Sequence, residues 1–528
     1  MRVLLLSIFD EWCLGLRLLT SLLRREGHEV SLAFLGSIPQ ANTDAGANDP
    51  EGYHVPPASV SGGDLEALRQ LTGEFKPELI GVSYTSHYFG LAERATVEMR
   101  RASDAPVIWG GVDVTANPDL AIQIADFACV GEGEGAMMDL VHALTSGEDC
   151  TGIPNLWVRR DGEIHRNDVR PVIRDLDALP YPDFIPAGRD WIAGGRVNRA
   201  TIPDGSNLHH SYPIMASRGC PFSCTYCCNS MYREIYGSRD YVRLRSVDSV
   251  VDEIRGYLRH RPETTIIEFW DDVFGFNEEW MREFAEVYPR EVKRPFWCYT
   301  YPVLCRPEFV ERLRRAGVSF VVMGLQSGSE RTLREDYNRP ASAKQAIDAA
   351  WLMHRSGITP VVDLILGNPF ETDEDYLKTL EMMLQMPPGF ILQEINVLSL
   401  YRNYPLTRRA GEAGLRSSPL DRRNVFQGEP LPDLRFWHAL LTLTQFPQVG
   451  ADNLRHMARD PHLREHPEIV EAISRALVDA TFIPGTRRHR TQPLQEEIDG
   501  LRKGLATYEG SAAVRWFLKL RRALRGRR

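Results

Sequence analysis

"SRGCPFSCTYCCNS", residues 217–230, carries Cys220, Cys224, Cys227 and Cys228, four of the chain's nine cysteines. The first three are spaced C-x3-C-x2-C, directly after the apolar run "PIMAS". Five more runs of this kind follow: "TIIEFWDD", "FWCYTY", "FVVMGLQ", "VVDLILG" and "ILQEINVLSL". Helical stretches such as "SVVDEIRGYLRH", "PEFVERLRRAG" and "AKQAIDAAWLMHRSG" alternate with them. Each strand–helix unit takes roughly 30 residues, the length of a right-handed crossover between parallel strands. Six units are too few to close an eight-stranded barrel. Residues 212–405 are therefore expected to form an open, partial (βα)6 barrel with its active site at the C-terminal strand ends. The cysteines sit at such an end.

Three thiolates this close reach one soft metal centre. Iron–sulfur clusters are held by cysteine thiolates, usually four, so three leave one iron with an open position. Zinc on all four cysteines is the competing reading. Adjacent Cys227 and Cys228 are awkward tetrahedral ligands, however, and zinc does not account for six βα units. "MRVLLLSIFDEW" begins like a signal peptide, but Asp10 and Glu11 follow a short apolar run with no small-residue cleavage site. The expected setting is a reducing cytoplasm, where clustered cysteines hold metal more often than they form disulfides. No stretch reaches the ~18–20 apolar residues of a membrane span. A net charge of −9 argues against a nucleic-acid partner. At 528 residues the chain needs more than one hydrophobic core.

Residues 1–150 also alternate strands and helices. The strand candidates are "VLLLSIF", "LIGVSYTS", "APVIWGG" and "FACVG", with a helix expected over "LGLRLLTSLLRREGHEV". The alternation implies an α/β, Rossmann-like domain whose parallel sheet is covered on both faces. Residues 38–63, rich in Gly, Pro, Asn and Asp, are expected as a long loop. Residues 151–211 are expected as a linker. Within it "LWVRRDGEIHRND" has a DG turn for a hairpin, and "LDALPYPDF" is a proline-punctuated connector. Residues 406–528 lack further strand runs and read as mainly helical.

The cysteine motif resembles the signature of the radical S-adenosylmethionine (SAM) superfamily, C-x3-C-x-aromatic-C, with Tyr226 in the aromatic place. That makes Cys227 the third ligand and leaves Cys228 packed nearby. The resemblance implies a [4Fe–4S] cluster on Cys220, Cys224 and Cys227, whose unique iron chelates the amino and carboxylate groups of SAM. An external flavodoxin- or ferredoxin-type donor would supply the electron that cleaves SAM to a 5′-deoxyadenosyl radical. It further implies SAM contacts from Asp271 and Asp272 after the second barrel strand. Gln326 and Ser327 after the fourth, and Gly367 and Asn368 after the fifth, complete that set. Turn and cap chemistry is the plain alternative for each.

Loops at the carboxyl ends of parallel strands bind cofactors. Ser83, Thr85, Gly110 and Gly111 fall on such loops, as do Gly131, Glu132, Gly133 and Glu134. "GEGEGA" has the wrong spacing for a dinucleotide fingerprint and follows a late strand. The whole set resembles the cobalamin-binding domain that precedes the barrel in class B radical SAM methyltransferase-like enzymes, and the resemblance spans roughly residues 1–405. Many such domains carry D-x-H-x-x-G, with the histidine on cobalt. Here the frame reads Asp10-Glu11-Trp12-Cys13-Leu14-Gly15. An indole N–H only donates. The expectation is cobalamin with no lower axial histidine, Trp12 packing beneath the corrin. Cys13 reads as a small buried residue rather than a thiolate ligand.

Trp297, Tyr299 and Tyr301 are candidate pocket-lining residues on the third barrel strand; Cys298 is expected in the core, with Cys305 flanking the same strand. His209 and His210 are placed in solvated linker. "VRWFLKLRRALRGRR" sets Trp516, Phe517, Leu520 and Leu524 at helical spacing among basic residues. That suits a helix on a membrane surface or an exposed helix packed on its own protein. The family implies an enzyme that methylates an unactivated carbon: the radical abstracts hydrogen, and methylcobalamin gives the methyl group. The substrate class is a small molecule such as a lipid, tetrapyrrole or natural-product intermediate. Ring formation or rearrangement with the same cofactors is the alternative, and a cobalamin sensor or carrier with an inactive barrel is a third reading.

Overall fold

The computed structural model describes residues 1–36, 60–184, 189–199, 210–237, 241–415, 425–426 and 434–481. Two largely parallel sheets organise these residues. The first comprises β1 (Arg2–Ile8), β2 (Glu29–Leu35), β3 (Leu79–Ser83), β4 (Val107–Gly110) and β5 (Phe127–Cys129), then β6 (Leu156–Arg160), β7 (Glu163–Arg166), β8 (Arg189–Ala193) and β9 (Arg196–Arg199). Their order is β7-β6-β5-β4-β3-β1-β2-β8-β9, with β1 to β5 mutually parallel. The last six residues of β1 are buried, as a strand covered on both faces requires.

Helix Leu14–Arg25 buries Leu16, Leu18, Leu22 and Leu23 and ends on Arg24 and Arg25, cations favoured at a helix C-terminus. Gly27, at φ 84°, then turns the chain. The helix expected to run to Val30 thus stops early, and "EVSLAFL" becomes β2, a strand the sequence reading lacks. The stretch 151–211 is also more than a linker. Its hairpin β6–β7 extends one edge of the sheet beyond β5, and a second hairpin, β8–β9, extends the other edge beyond β2.

The connector between these hairpins is pinned by Arg17, which is fully buried. Its guanidinium lies between the rings of Phe34 and Phe184, at 4.9 and 4.2 Å. It donates to the carbonyls of Trp12 (2.8 Å), Asp183 (3.0 Å) and Glu11. Arg17→Met would leave three carbonyls unmatched in a dry environment. The expected loss is about 3 kcal/mol or more, read as a fall in the urea midpoint. Arg25→Met, at a half-exposed site, should change stability by no more than about 0.5 kcal/mol.

The second sheet has six parallel strands in sequential order: β10 (Ser211–Ile214), β13 (Ile266–Phe269), β14 (Phe296–Thr300), β15 (Val318–Gln326), β16 (Thr359–Leu366) and β17 (Ile391–Val397). It is the expected open (βα)6 barrel. A short antiparallel pair, β11 (Ser217–Arg218) with β12 (Arg243–Leu244), flanks the cysteine loop. Residues 434–481 are helical and share the barrel's core: Trp437 is fully buried against Tyr376, ring centroids 5.4 Å apart. The region after 406 is not free of strands, since β18 (Leu400–Tyr401) pairs with β19 (Val425–Phe426). Most of the expected 38–63 loop, His209 and the basic helix with Trp516, Phe517, Leu520 and Leu524 lie outside the described residues. Among those described, no helix is long and apolar enough to cross a membrane.

Candidate active site between the two sheets

Strand β10 delivers the cysteine loop to the barrel rim, and neighbouring segments fix it there. Arg233 Nη2 donates to Cys220 O (2.6 Å), Asn338 Nδ2 to Ser223 O (3.1 Å), and Thr225 N to Tyr337 O (3.1 Å). Phe222 stacks on Tyr301 with centroids 4.0 Å apart. Cys227 caps helix Cys228–Tyr236, so its sulfur stands at a helix N-terminus, which favours a thiolate. A hydrogen bond from Cys228 draws Cys227 down to about 7. Burial instead pushes Cys220 up to about 12 and raises Cys224. Thiols held this way keep their protons until a cationic centre replaces them. Cys228 packs with Met231 and Tyr404.

Sequence reasoning missed Arg339. It is 6% exposed, with Nη1 3.4 Å from Cys224 Sγ and 2.8 Å from the Tyr226 hydroxyl. Its guanidinium lies 4.3 Å over the Tyr301 ring. It thus sets a positive charge against one of the cluster sulfurs. In the sequence nothing separates it from the many surface arginines.

The expected SAM-contacting residues divide. Asp271, 1% exposed, turns inward to accept from Ala216 N (3.1 Å) and Ser217 Oγ, and burial raises its carboxyl to about 7. Asp272 opens onto the cavity beside Cys228 and Asn229. Gln326, at φ 70°, folds over Gly324 at the rim, and its Oε1 is buried without a hydrogen-bond partner. Ser327 and Asn368 are buried in the wall. Ser327 Oγ donates to Glu371 Oε1 (3.1 Å); Asn368 Nδ2 donates to Asp336 Oδ2 (3.0 Å), and its Oδ1 accepts from Phe370 N (3.1 Å). Gly367 sits at φ 81° in the turn before Asn368. Tyr301 props the cysteine loop, while Trp297 and Tyr299 are only half-buried; Cys298 is in the core. Burial, then the carboxylates of Asp363, Glu394 and Glu268, hold the Tyr299 hydroxyl above its ordinary range.

Glu371 lends this wall a pH dependence. Burial holds its carboxyl at about 8, against 4.5 for the free group. A raised folded pKa gives stability that is fully present below the unfolded value and is lost as pH rises through the folded one. The urea midpoint is expected to fall between pH 6 and pH 9, and to fall less in Glu371→Gln.

The loops of the first sheet face this rim. The Trp12 ring meets that of Trp270 at 5.4 Å, which joins the β1 loop to the end of β13. Asp10 Oδ1 accepts from Trp12 N (3.0 Å) and Cys13 N (2.8 Å). Cys13 is buried, and desolvation pushes its thiol up to about 12, so it stays protonated. Ser83 is half-buried and Thr85 exposed; Gly110 ends β4. A Cβ on Gly111, at φ 106°, would come within 3.1 Å of Ser83 Oγ.

The Gly131–Glu134 loop lines the cavity between the domains and also docks on the barrel. Glu132 and Glu134 reach across to the cysteine side of the barrel. Glu132 Oε1 is 2.7 Å from Arg243 Nη2 and 3.2 Å from Arg218 Nη1, while Oε2 accepts from Ile173 N (2.9 Å). Glu134 takes the second nitrogen of Arg218. Glu132 N donates to the Tyr236 hydroxyl (2.7 Å), which a Cβ on Gly131 would hit at 2.2 Å. At Gly131 the barrel leaves no room for a side chain, and Gly133 precedes helix Glu134–Ser146. Beside this contact runs a cavity of about 370 Å³, lined by Leu14 and Leu18 from one domain and Arg218, Cys228, Tyr241 and Asp272 from the other.

The donor set fits an iron–sulfur cluster. A tetrahedral zinc with Zn–S of about 2.3 Å needs sulfurs roughly 3.8 Å apart. No three of the cysteine sulfurs lie within 4.8 Å of one another; among the described residues only His462, Glu465 and His466, in the helical region, converge so closely. The unpartnered Gln326 Oε1 and the open Asp272 suit a polar cofactor at the rim.

Known proteins share both halves. The Radical SAM superfamily profile matches residues 214–383, and the B12 binding domain profile matches residues 8–141. An uncharacterized methyltransferase of Pyrococcus horikoshii is 27% identical over 319 residues, 60% of this chain and 65% of the relative. The anaerobic magnesium-protoporphyrin IX monomethyl ester cyclase of Cereibacter sphaeroides is 24% identical over 368 residues, 67% of this chain and 56% of the relative. The chain thus matches somewhat less than two thirds of either relative's length. The radical S-adenosylmethionine methyltransferase TsrM from Kitasatospora setae, solved with cobalamin and a [4Fe–4S] cluster, superposes with a TM-score of 0.63 at 17% identity, covering 90% of this chain and 99% of that one. The chain thus contains a B12 binding domain followed by a radical SAM domain, carried on two sheets that face each other.

Proposed function

We propose that the chain is a cobalamin-dependent radical SAM methyltransferase acting on an unactivated carbon of a small molecule. One observation carries this reading: the B12-domain loops and the cysteine loop face each other across a shared cavity and are bound together by Glu132, Arg218 and Arg243. In this class a bound cluster with SAM supplies hydrogen abstraction and bound cobalamin supplies the methyl group. Cys220, Cys224 and Cys227 would hold the cluster, with Arg339 balancing the charge at Cys224. Asp272 and Gln326 would orient SAM, and the loops with Trp12, Ser83, Thr85 and Gly111 would receive the corrin. Trp297 and Tyr299 would meet the substrate. The electron comes from an external flavodoxin- or ferredoxin-type donor.

Ring formation is the second reading, supported by the cyclase likeness. One experiment separates the two. Protein reconstituted anaerobically with iron, sulfide and hydroxocobalamin is analysed for metal content and for SAM products under reduction. About four irons and one cobalt per chain, with both 5′-deoxyadenosine and S-adenosylhomocysteine formed, is the expected result. Deoxyadenosine without S-adenosylhomocysteine favours ring formation. Iron without cobalt overturns the proposal.

A further inference from the structure

"HLREH", residues 462–466, carries two imidazoles four residues apart and a carboxylate three after the first. On a helical turn that spacing sets all three on one side. The turn is helix Pro461–Glu465, started by Asp460, whose Oδ1 accepts from His462 N (3.0 Å). The ligand atoms of His462, Glu465 and His466 lie within 4.8 Å of one another, and the two imidazole centroids are 4.6 Å apart. Glu468, in the first turn of helix Pro467–Thr481, sets Oε1 3.0 Å from His466 Nδ1 and adds a second carboxylate beside the group.

The two residues between Glu465 and His462 serve the core instead. Leu463 is fully buried, and Arg464 pairs with Asp373 of helix Asp373–Met383 while its guanidinium lies 5.2 Å from the Trp437 ring. Both histidines are half-buried and Glu465 is exposed, so the group stands at the surface on a fixed base. At the corner after it, Ile469 N donates to His466 O (3.1 Å). Helix Pro467–Thr481 is tied in turn to helix Leu434–Thr442 by Glu471 and Arg435 (2.6 Å). Leu434 of that helix lies against the barrel rim, where a Cβ on Gly367 would come within 3.3 Å of it. Imidazole and carboxylate together suit zinc and its neighbours. Ligand bonds of about 2.0–2.1 Å need donors roughly 3.4 Å apart. Half-exposed side chains close that remaining distance by rotation about their χ angles.

We propose that His462, Glu465 and His466 bind one divalent transition-metal ion of the zinc type, with Glu468 supporting His466. The ion braces the corner between helices Pro461–Glu465 and Pro467–Thr481, and through them the helical cover of the barrel rim. Because the ligands converge only in the folded chain, binding stabilises that fold. The site is separate from the cysteine loop and from the loops of the first sheet, and it does not depend on the methyl-transfer reading.

The test is equilibrium dialysis of the full chain, loaded with cluster and cobalamin, against micromolar zinc, with bound metals counted. About one zinc per chain is expected. It should be lost in His462→Ala with iron and cobalt retained. Glu468→Gln should weaken zinc binding by about 10-fold or more, as supporting carboxylates do, and Glu465→Gln, at an exposed side chain, by at least as much. Zinc-edge X-ray absorption should show nitrogen and oxygen at about 2.0–2.2 Å. Zinc should raise the Tm of the wild type and leave that of His462→Ala unchanged. No retained zinc, zinc or a Tm rise that survives in His462→Ala, or sulfur at about 2.3 Å from the ion, which would put it on the cysteines, overturns the proposal.

Discussion

Cys227→Ala is expected to leave the reconstituted protein without its broad visible iron–sulfur absorption. SAM cleavage should fall at least about 10³-fold, equivalent to roughly 4 kcal/mol of transition-state stabilisation. Cys228→Ala should keep both. The two sulfurs are neighbours in sequence but not in circumstance. Cys227 caps the helix with its sulfur held low by Cys228 and within 3.7 Å of Asn229 Nδ2. Cys228 begins the helix and packs into the apolar group of Met231, Tyr232 and Tyr404. With Cys227 gone, only Cys220 and Cys224 remain to hold iron, and Cys228 would have to leave that packing to substitute. Iron content and the visible spectrum read the loss directly. Cobalt content and gel-filtration volume, which should not change, show that the fold survives. If Cys228→Ala loses the cluster instead, the ligand frame has been set one residue out of place.

The barrel was legible because its strands come as short apolar runs with helices of clear period between them, and the cysteine spacing marks where the first strand ends. β2 was not. "EVSLAFL" follows a helix that is itself leucine-rich, and only the left-handed turn at Gly27 divides them. Local patterns of this kind do not tell a buried strand from the tail of an apolar helix. The site was legible at the cysteines and poorly legible elsewhere, for one physical reason. Motif position tells which loop a residue is on but not which way its side chain turns. Asp271 and Asp272 are adjacent, yet one is buried on Ser217 and the other opens onto the cavity. Ser327 and Asn368 sit in rim motifs and spend their hydrogen bonds within the wall. Arg339 belongs to no motif and acquires meaning only from what folds against it.

Glu132 sits in a motif but also takes its role from what folds against it, and its replacement should show how the two domains depend on each other. Arg243 presents a side chain 7% exposed to the Glu132 carboxylate, itself 15% exposed. Arg218 joins them two residues before Cys220, and β11 pairs directly with β12, so both guanidinium groups are set by one short antiparallel pair that brackets the cysteine loop. Glu132→Ala strands a buried cation, which typically costs about 3–5 kcal/mol. The Arg402–Asp119 pair also spans the domains but is about half exposed on each side, and Arg402→Ala should cost less than about 1 kcal/mol. The larger effect lies in coupling. The clamp holds the first domain against the segment that leads into the cysteine loop, so its loss lets the domains separate while leaving the cysteines and Arg339 in place. Reductive SAM cleavage to 5′-deoxyadenosine should therefore persist within a few-fold of wild type, while the product that needs both cofactors falls by at least about 10²-fold, as for small misplacements of bound reactants. Greater protease sensitivity between residues 130 and 245 should accompany the change. Equal losses of both activities would show that Glu132 supports the cluster loop itself rather than the docking of one domain on the other.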